Sequence, residues 1–158
     1  MSKKHPSNKK IIAVNRKARY EYFIEEVIEA GIMLQGSEVK SLRKGNANIG
    51  DAYADEKSGG IYLMQAHIGE CKNANRWGHN PTRPRKLLLN KAEIKKLFGK
   101  LKMKGYTMVP LSLYFNKRNL VKVELGVAKG KKQHDKRATE KERDWKRDKA
   151  RVLKGGNE

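Results

Sequence analysis

Two runs in the last third of the chain constrain the fold most. Val109, Leu111, Leu113 and Phe115 fall at every second position, and so do Val121, Val123, Leu125 and Val127, the latter with Lys122 and Glu124 between them. Side chains alternate between the two faces of a strand, so each run predicts a strand with one apolar face. The four residues NKRN between the runs predict a hairpin loop. An isolated hairpin is marginal in water, so its apolar face must be covered by further strands or a helix.

The rest of the sequence supplies that cover. NIGDAYADEKSGGIYLMQAHI reads as strand, turn, strand, with Ser58-Gly59-Gly60 as the turn. A helix is predicted after Asn90: Asn90 caps it, Glu93 completes a capping box, Ile94, Leu97, Phe98 and Leu101 share a face, and Gly105 stops it. GSEVKSLRKG predicts a shorter helix, capped by Ser37 and ended by Gly45. On it, Val39 and Leu42 form one face, while Lys40, Arg43 and Lys44 form a basic ridge. Glu38 sits in the first turn, where a carboxylate favours the helix dipole. NRWGHNPTRPRK is a basic loop stiffened by Pro81 and Pro84. Residues 20–32 are ambiguous: Tyr20, Phe23, Ile24, Val27 and Ile28 fit a helical stripe, yet aromatic and β-branched residues favour a strand. Several strands at short spacing with two helices suggest a small barrel or sandwich of about 120 residues.

Charge sets the partner class. The 158 residues carry a net charge of +20 and 37% hydrophobic residues. One domain of ordinary size is expected, with a polyanionic partner: nucleic acid first, an anionic membrane surface second. No run approaches eighteen apolar residues, so no transmembrane helix is expected. MSKKHPSNKK lacks the apolar stretch of a secretory signal. The single cysteine, Cys71, excludes an internal disulfide and suits a reducing cytoplasm; with His79 its one near neighbour of ligand type, no metal site is expected there.

The C-terminal segment reads KGKKQHDKRATEKERDWKRDKARVLKGG. From residue 129 onward, twelve Lys or Arg stand against six Asp or Glu, leaving +14 of the +20 for the rest of the chain. Thr139-Glu140-Lys141-Glu142 reads as a capping box, with Glu142–Lys146 and Asp148–Arg151 as helical pairs. The apolar members are only Ala138, Trp145, Ala150, Val152 and Leu153, so a helix of about fifteen residues here is marginal alone. The segment reads either as a disordered solubility tail or as one that folds on contact with RNA.

Four collinear blocks, NRKARYEYFIEEVIEAGIMLQGSEVKSLRKGNANIGDAY, NPTRPRKLLLNKAEIKKL, KGYTMVPLSLYF and KVELGVAKGKKQHDKR, resemble the SmpB family of bacterial SsrA-binding proteins. The resemblance runs from Asn15 to Lys154 and is weakest at 55–60 and 70–78. It implies an oligonucleotide-binding-like antiparallel β-barrel with flanking helices. It also implies a basic C-terminal tail that is disordered when free and helical on the ribosome, and it turns residues 20–32 from helix to strand. The expected organisation is a flexible basic arm (1–10), an RNA-binding barrel (11–129) and the tail (130–158).

The same resemblance implies transfer-messenger RNA (tmRNA) as partner, ribosome rescue by trans-translation as function, and no enzymatic activity or cofactor. EF-Tu–GTP and alanyl-tRNA synthetase would be met indirectly, through tmRNA. Two basic patches become candidate tmRNA contacts: Asn15, Arg16, Lys17 and Arg19, then Lys40, Arg43 and Lys44 with Asn46 and Asn48. Their bland reading is solvated charge and turn asparagines. Glu38 is expected to accept from a base or ribose hydroxyl or to brace neighbouring cations; the bland reading is an exposed dipole partner. His67, at a strand end, becomes a stacking candidate; a lone strand histidine is ordinarily a satisfied surface or core residue.

In the tail, Lys131, Lys132, Asp135, Lys136 and Arg137 surround His134, a flat ring for a base of the 16S rRNA decoding centre. Trp145, Val152 and Leu153 give a helix in the empty mRNA channel a side to lodge against. Trp77 and His79 are weaker stacking candidates. The nearest approaches to an enzyme motif, His67 with Glu70 and Cys71 with His79, match no nucleophile or metal pattern. The rival function is a general basic ribosomal or ribosome-assembly protein without tmRNA specificity.

Overall fold

The computed structural model describes residues 9–70, 79–131 and 133–155. Its elements run β1 (Lys10–Val14), α1 (Ala18–Glu21), β2 (Tyr22–Ile32), α2 (Gly36–Arg43), β3 (Ala47–Asn48), β4 (Tyr53–Lys57), β5 (Gly60–Met64), β6 (His67–Ile68), β7 (Arg85–Leu88), α3 (Lys91–Leu101), β8 (Tyr106–Phe115), β9 (Val121–Gly130) and α4 (Gln133–Gly155). The main sheet has the order β1-β8-β4-β5-β7-β2-β9, and β8 also pairs with β9. The last pairing closes β8, β4, β5, β7, β2 and β9 into a ring, with β1 added on β8. Every pairing is antiparallel. Closure leaves few free strand edges. β3 and β6 form a separate two-residue ladder in which Asn48 opposes His67.

The predicted hairpin is β8–β9, joined by residues 116–120, with Asn119 in the left-handed region at φ +59°. Val121, Val123, Leu125 and Val127 of β9 all pack in the main core. The β8 run departs from simple alternation. A bulge between Pro110 and Ser112 reverses the faces, so Leu113 and Phe115 join Met108 in the main core, while Val109 and Leu111 pack with Ala18 and Ala128 in a second cluster beneath α1. A strict period-2 reading places all four on one face; the inserted residue divides them.

Residues 22–32 are a strand, as the family resemblance implies and the helical stripe does not. Tyr20 and Glu21 close the short α1 instead. β2 pairs with β9 from Tyr22 to Gly31, with a bulge between Ile24 and Glu26. Those ladder bonds and the β-branched side chains outweigh the helical spacing. The β4–β5 turn is Ser58-Gly59, both at positive φ, and Gly60 already belongs to β5.

α3 begins at Asn90, whose side chain accepts from the Glu93 amide at 2.8 Å while Glu93 accepts from the Asn90 amide. Its Leu97 is fully buried. α2 is capped by Gln35 and Glu38 rather than by Ser37, because Ser37 lies inside the helix and bonds His79. The C-terminal helix is longer than expected, from Gln133 to Gly155. Thr139 is therefore not a cap; its hydroxyl donates back to the Asp135 carbonyl at 3.0 Å.

Candidate nucleic-acid interface

The centre of the α2 region is a buried carboxylate. Glu38 is wholly buried, as is Arg85. Glu38 Oε1 accepts from Arg83 Nε at 3.0 Å and from the Gln35 amide at 2.8 Å, and Oε2 accepts from Arg85 Nε. Burial pushes the Glu38 carboxyl up, but the hydrogen bonds from Arg83, Gln35 and Arg85 and the charge of Arg85 outweigh it, leaving the pKa below the ordinary value. Arg85 also donates to the Ala66 carbonyl at 2.7 Å and the Pro81 carbonyl at 3.0 Å. The expectation of an exposed dipole partner is thus corrected. Direct contact of Glu38 with RNA is corrected with it, because nothing reaches the carboxylate; the brace reading fits. The tethering partners lie in TRPRK, which the sequence presents only as loop charge. A lone carboxylate amid basic residues was the available signal.

His79 is 4% exposed, with Nδ1 bonded to Ser37 Oγ and Nε2 to the Ile68 carbonyl, both at 2.9 Å. The carbonyl accepts, so Nε2 carries the proton and Nδ1 accepts from the hydroxyl. That locks the loop to α2 and removes His79 as a stacking group. Trp77 and Cys71 lie outside the described residues.

Around this brace the basic ridge is on the surface: Lys40, Arg43 and Lys44 are exposed, as are Asn46 and Asn48. Asn48 Oδ1 accepts from the Gly50 amide at 2.8 Å, so its amide nitrogen is directed away as a donor. His67, across the ladder from Asn48, is exposed, and its ring makes no hydrogen bond among the described residues.

In the first patch, Arg16, Lys17 and Arg19 are exposed around α1. Asn15 is not: it is 6% exposed and donates to the Pro110 carbonyl at 3.0 Å, tying β1 to β8. Its Oδ1 has no partner among the described residues. Asn15 therefore supports the patch from below. The two patches adjoin. Asp51 lines one cleft with Asn15, Glu21 and Tyr53, and another with Asn48, Gln65, His67 and Thr82.

α1 also roots the tail. The Tyr20 hydroxyl donates to Glu140 at 2.7 Å, and Arg143 and Lys136 lie over its ring at 5.8 and 6.0 Å. The Glu140 hydrogen bond raises the Tyr20 pKa. Lys131 donates to the Arg19 carbonyl at 3.0 Å and Thr139 Oγ1 at 2.9 Å, and covers Phe23 at 5.0 Å. Sequence reading missed Tyr20 and Phe23 as fasteners because both also fit a core stripe. Beyond these turns α4 is solvent-exposed: Trp145, Val152 and Leu153 are 68%, 74% and 69% exposed. His134 is exposed and lies 3.3 Å from Asp135, Arg137 is exposed, and Lys146 pairs with Glu142 at 3.0 Å. Lys132 lies outside the described residues.

A further surface was not visible in the sequence. Leu88 and Leu120, both about half exposed, line an apolar cleft with Leu34, Val39 and Lys122. Among the described residues no group of side chains is arranged to hold a metal ion.

Residues 12–155 match the family described as SmpB protein, a span from β1 to the end of α4. The chain belongs to the SmpB family. An SsrA-binding protein of Rickettsia typhi (strain ATCC VR-144 / Wilmington) is 58% identical over 146 residues, 92% of this chain and 96% of the relative. That of Rickettsia prowazekii (strain Madrid E) is 55% identical over 147 residues, 93% and 97% of the two chains. A chain from the solved structure entitled "tmRNA-SmpB: a journey to the center of the bacterial ribosome" aligns with a TM-score of 0.64 at 43% identity, covering 82% of this chain and 87% of that one. The SmpB match includes the barrel, both basic patches and α4.

Proposed function

We propose that the chain is a non-enzymatic RNA-binding adaptor: its barrel binds tmRNA and carries it to stalled ribosomes, where α4 occupies the decoding centre and the empty mRNA channel. The observation that carries this reading is the 58% identity, over nearly the whole of both chains, to a protein named SsrA-binding protein. The physical arrangement supports it. Beside the exposed cations of the α1 and α2 regions lie clefts lined by amides, a carboxylate and an imidazole, the mixture a folded RNA surface demands. α4 is fixed at its root and presents a basic surface with an uncovered Trp145, Val152 and Leu153. A segment of that kind gains contacts in a channel of rRNA phosphates and bases. A message filling the channel would exclude it, so the tail senses the vacancy sterically. The site of action is the cytoplasm; among the described residues no helix is long and apolar enough to cross a membrane. EF-Tu–GTP and alanyl-tRNA synthetase act on the same particle through tmRNA.

The test is competition at matched salt. Labelled tmRNA bound to the protein should survive an excess of bulk tRNA. Displacement by bulk tRNA as effective as that by unlabelled tmRNA would instead identify a general basic ribosomal protein, since phosphate contacts alone do not discriminate.

A further inference from the structure

We propose that the cleft lined by Asn48, Asp51, Gln65, His67 and Thr82 is a pocket for one unpaired guanine, read through its Watson–Crick edge. The inference rests on the RNA-binding reading above and deepens it, by assigning a base-specific site within a surface otherwise built for phosphates.

The cleft is preorganised from beneath. Arg85, held by Glu38, donates to the carbonyls of Ala66 and Pro81. Ala66 lies between Gln65 and His67, and Pro81 precedes Thr82, so one buried guanidinium fixes both walls. The Ile68 amide donates to the Pro81 carbonyl at 2.9 Å and closes the same joint. Gln65 has φ +58°, a conformation that a non-glycine residue adopts at a cost of about 1 kcal/mol or more and that persists only where the surroundings enforce it. Asn48 and His67 oppose each other in the β3–β6 ladder, so their side chains leave the same face.

The polarity of the lining selects the base. Asp51 is exposed and its carboxylate has no hydrogen-bond partner among the described residues. An uncompensated carboxylate repels phosphate, so this cleft is not one more phosphate contact. It accepts. Asn48, whose Oδ1 is engaged by the Gly50 amide, offers its amide nitrogen as a donor. Guanine presents two adjacent donors, N1–H and the N2 amino group, which suit a carboxylate bidentately, and an O6 acceptor for an amide N–H. Adenine would set its N1 lone pair against Asp51. His67 adds a flat ring with no competing bond, suited to stacking on the base.

Guanosine 5′-monophosphate (GMP), inosine 5′-monophosphate (IMP) and adenosine 5′-monophosphate (AMP) share a phosphate and differ only in the base, so their comparison isolates the pocket. Titrated into the isotope-labelled full chain at constant ionic strength, GMP should shift the amide resonances of residues 48–51, 65–67 and 82. It should bind roughly tenfold tighter than AMP, with IMP, which lacks the N2 amine, between them. Asp51→Asn should abolish the preference for GMP while leaving the melting temperature unchanged. Equal affinities for GMP and AMP, shifts confined to other residues, or an undiminished preference in Asp51→Asn would each overturn the proposal. None of these measurements uses tmRNA. A chain selective for tmRNA but indifferent between GMP and AMP refutes the pocket alone. One with the GMP preference but no selectivity for tmRNA refutes the adaptor reading alone.

Discussion

Glu38 shows how far a single side chain can depart from its local context. Its position in the first turn of a basic helix suggests an exposed residue whose removal would leave the fold intact. Buried against Arg83 and Arg85, it has a different weight. Glu38→Ala leaves the buried Arg85 without its counter-charge, a loss on the order of 3–5 kcal/mol. The melting temperature should fall by roughly 10 °C, and RNA affinity should fall with it because the walls that Arg85 holds loosen. Glu38→Gln keeps the shape and removes the charge, and so separates charge from packing. The pH dependence has a definite sign. The folded pKa of Glu38 lies below the ordinary 4.5, so its charge contributes stability that is complete above about pH 4.5 and disappears as pH falls through the lower folded value. In thermal melts from pH 7 to pH 3, the stability gap between the native chain and Glu38→Gln should narrow only below about 4.5. A gap constant across that range would mean that the carboxylate charge contributes nothing.

Individual elements differ in how openly the sequence announces them. The β9 run, the Asn90 cap with its Glu93 partner, and the Ser58-Gly59 turn are legible because local chemistry alone dictates them. The bulges in β8 and β2 are not, since a strand with one inserted residue looks regular until its partner is known. β2 is the sharper case: its helical spacing is overruled by nine ladder partners on β9 that lie about a hundred residues away. In the candidate site, the basic ridge was readable from spacing, while the burial of Asn15, Glu38 and His79 depended on contacts across the chain. α2 permits a direct test of the ridge. Lys40 and Arg43, replaced together by alanine, should lower the slope of log affinity for tmRNA against log salt by roughly 1.5, since each phosphate contact releases counterions. An unchanged slope would place the phosphates elsewhere. For α4 the prediction concerns order. Amides up to about residue 143 are tied to α1 through Tyr20 and Lys131; those beyond Arg147 have no tertiary support among the described residues. Hydrogen exchange should be fast beyond Arg147 in the free protein and slow along the whole of α4 on the ribosome. Tyr20→Phe, which removes only the Glu140 hydrogen bond, should extend fast exchange toward residue 135.

At the scale of the whole molecule, charge is segregated. The acidic groups of the β2, β8 and β9 face hold their own partners: Glu26 with Lys96 at 2.6 Å, Glu124 with Lys9 at 3.1 Å, Glu25 with Tyr106 at 3.0 Å and Glu29 with Tyr114. Arg16, Lys17, Arg19, Lys40 and Arg43, exposed on and beside α1 and α2, form no ion pair among the described residues and so remain to face a polyanion. The two basic parts are separable because the barrel closes without the tail: β8–β9 completes the ring, and no apolar residue of α4 enters either core. Truncation after Gly130 should therefore leave the barrel folded, with a melting temperature within a few degrees of the full chain. Binding of tmRNA should be nearly preserved, because the α1 and α2 patches and the clefts between them are intact, although the lost net charge of +5 (eleven Lys or Arg against six Asp or Glu over 131–158) will weaken it at low salt. Tagging of truncated products on stalled ribosomes should be abolished, since nothing then fills the decoding centre and the vacant channel. Lys146→Pro should reproduce the loss of tagging in the full-length chain, because an interior proline costs a helix about 3 kcal/mol and no residue of α4 packs in either core to offset it. His134→Ala should give a smaller loss, by removing one ring and no helix. Were the truncated chain to support tagging at the normal rate, the tail would be a solubility extension and recognition of the stalled ribosome would lie in the barrel.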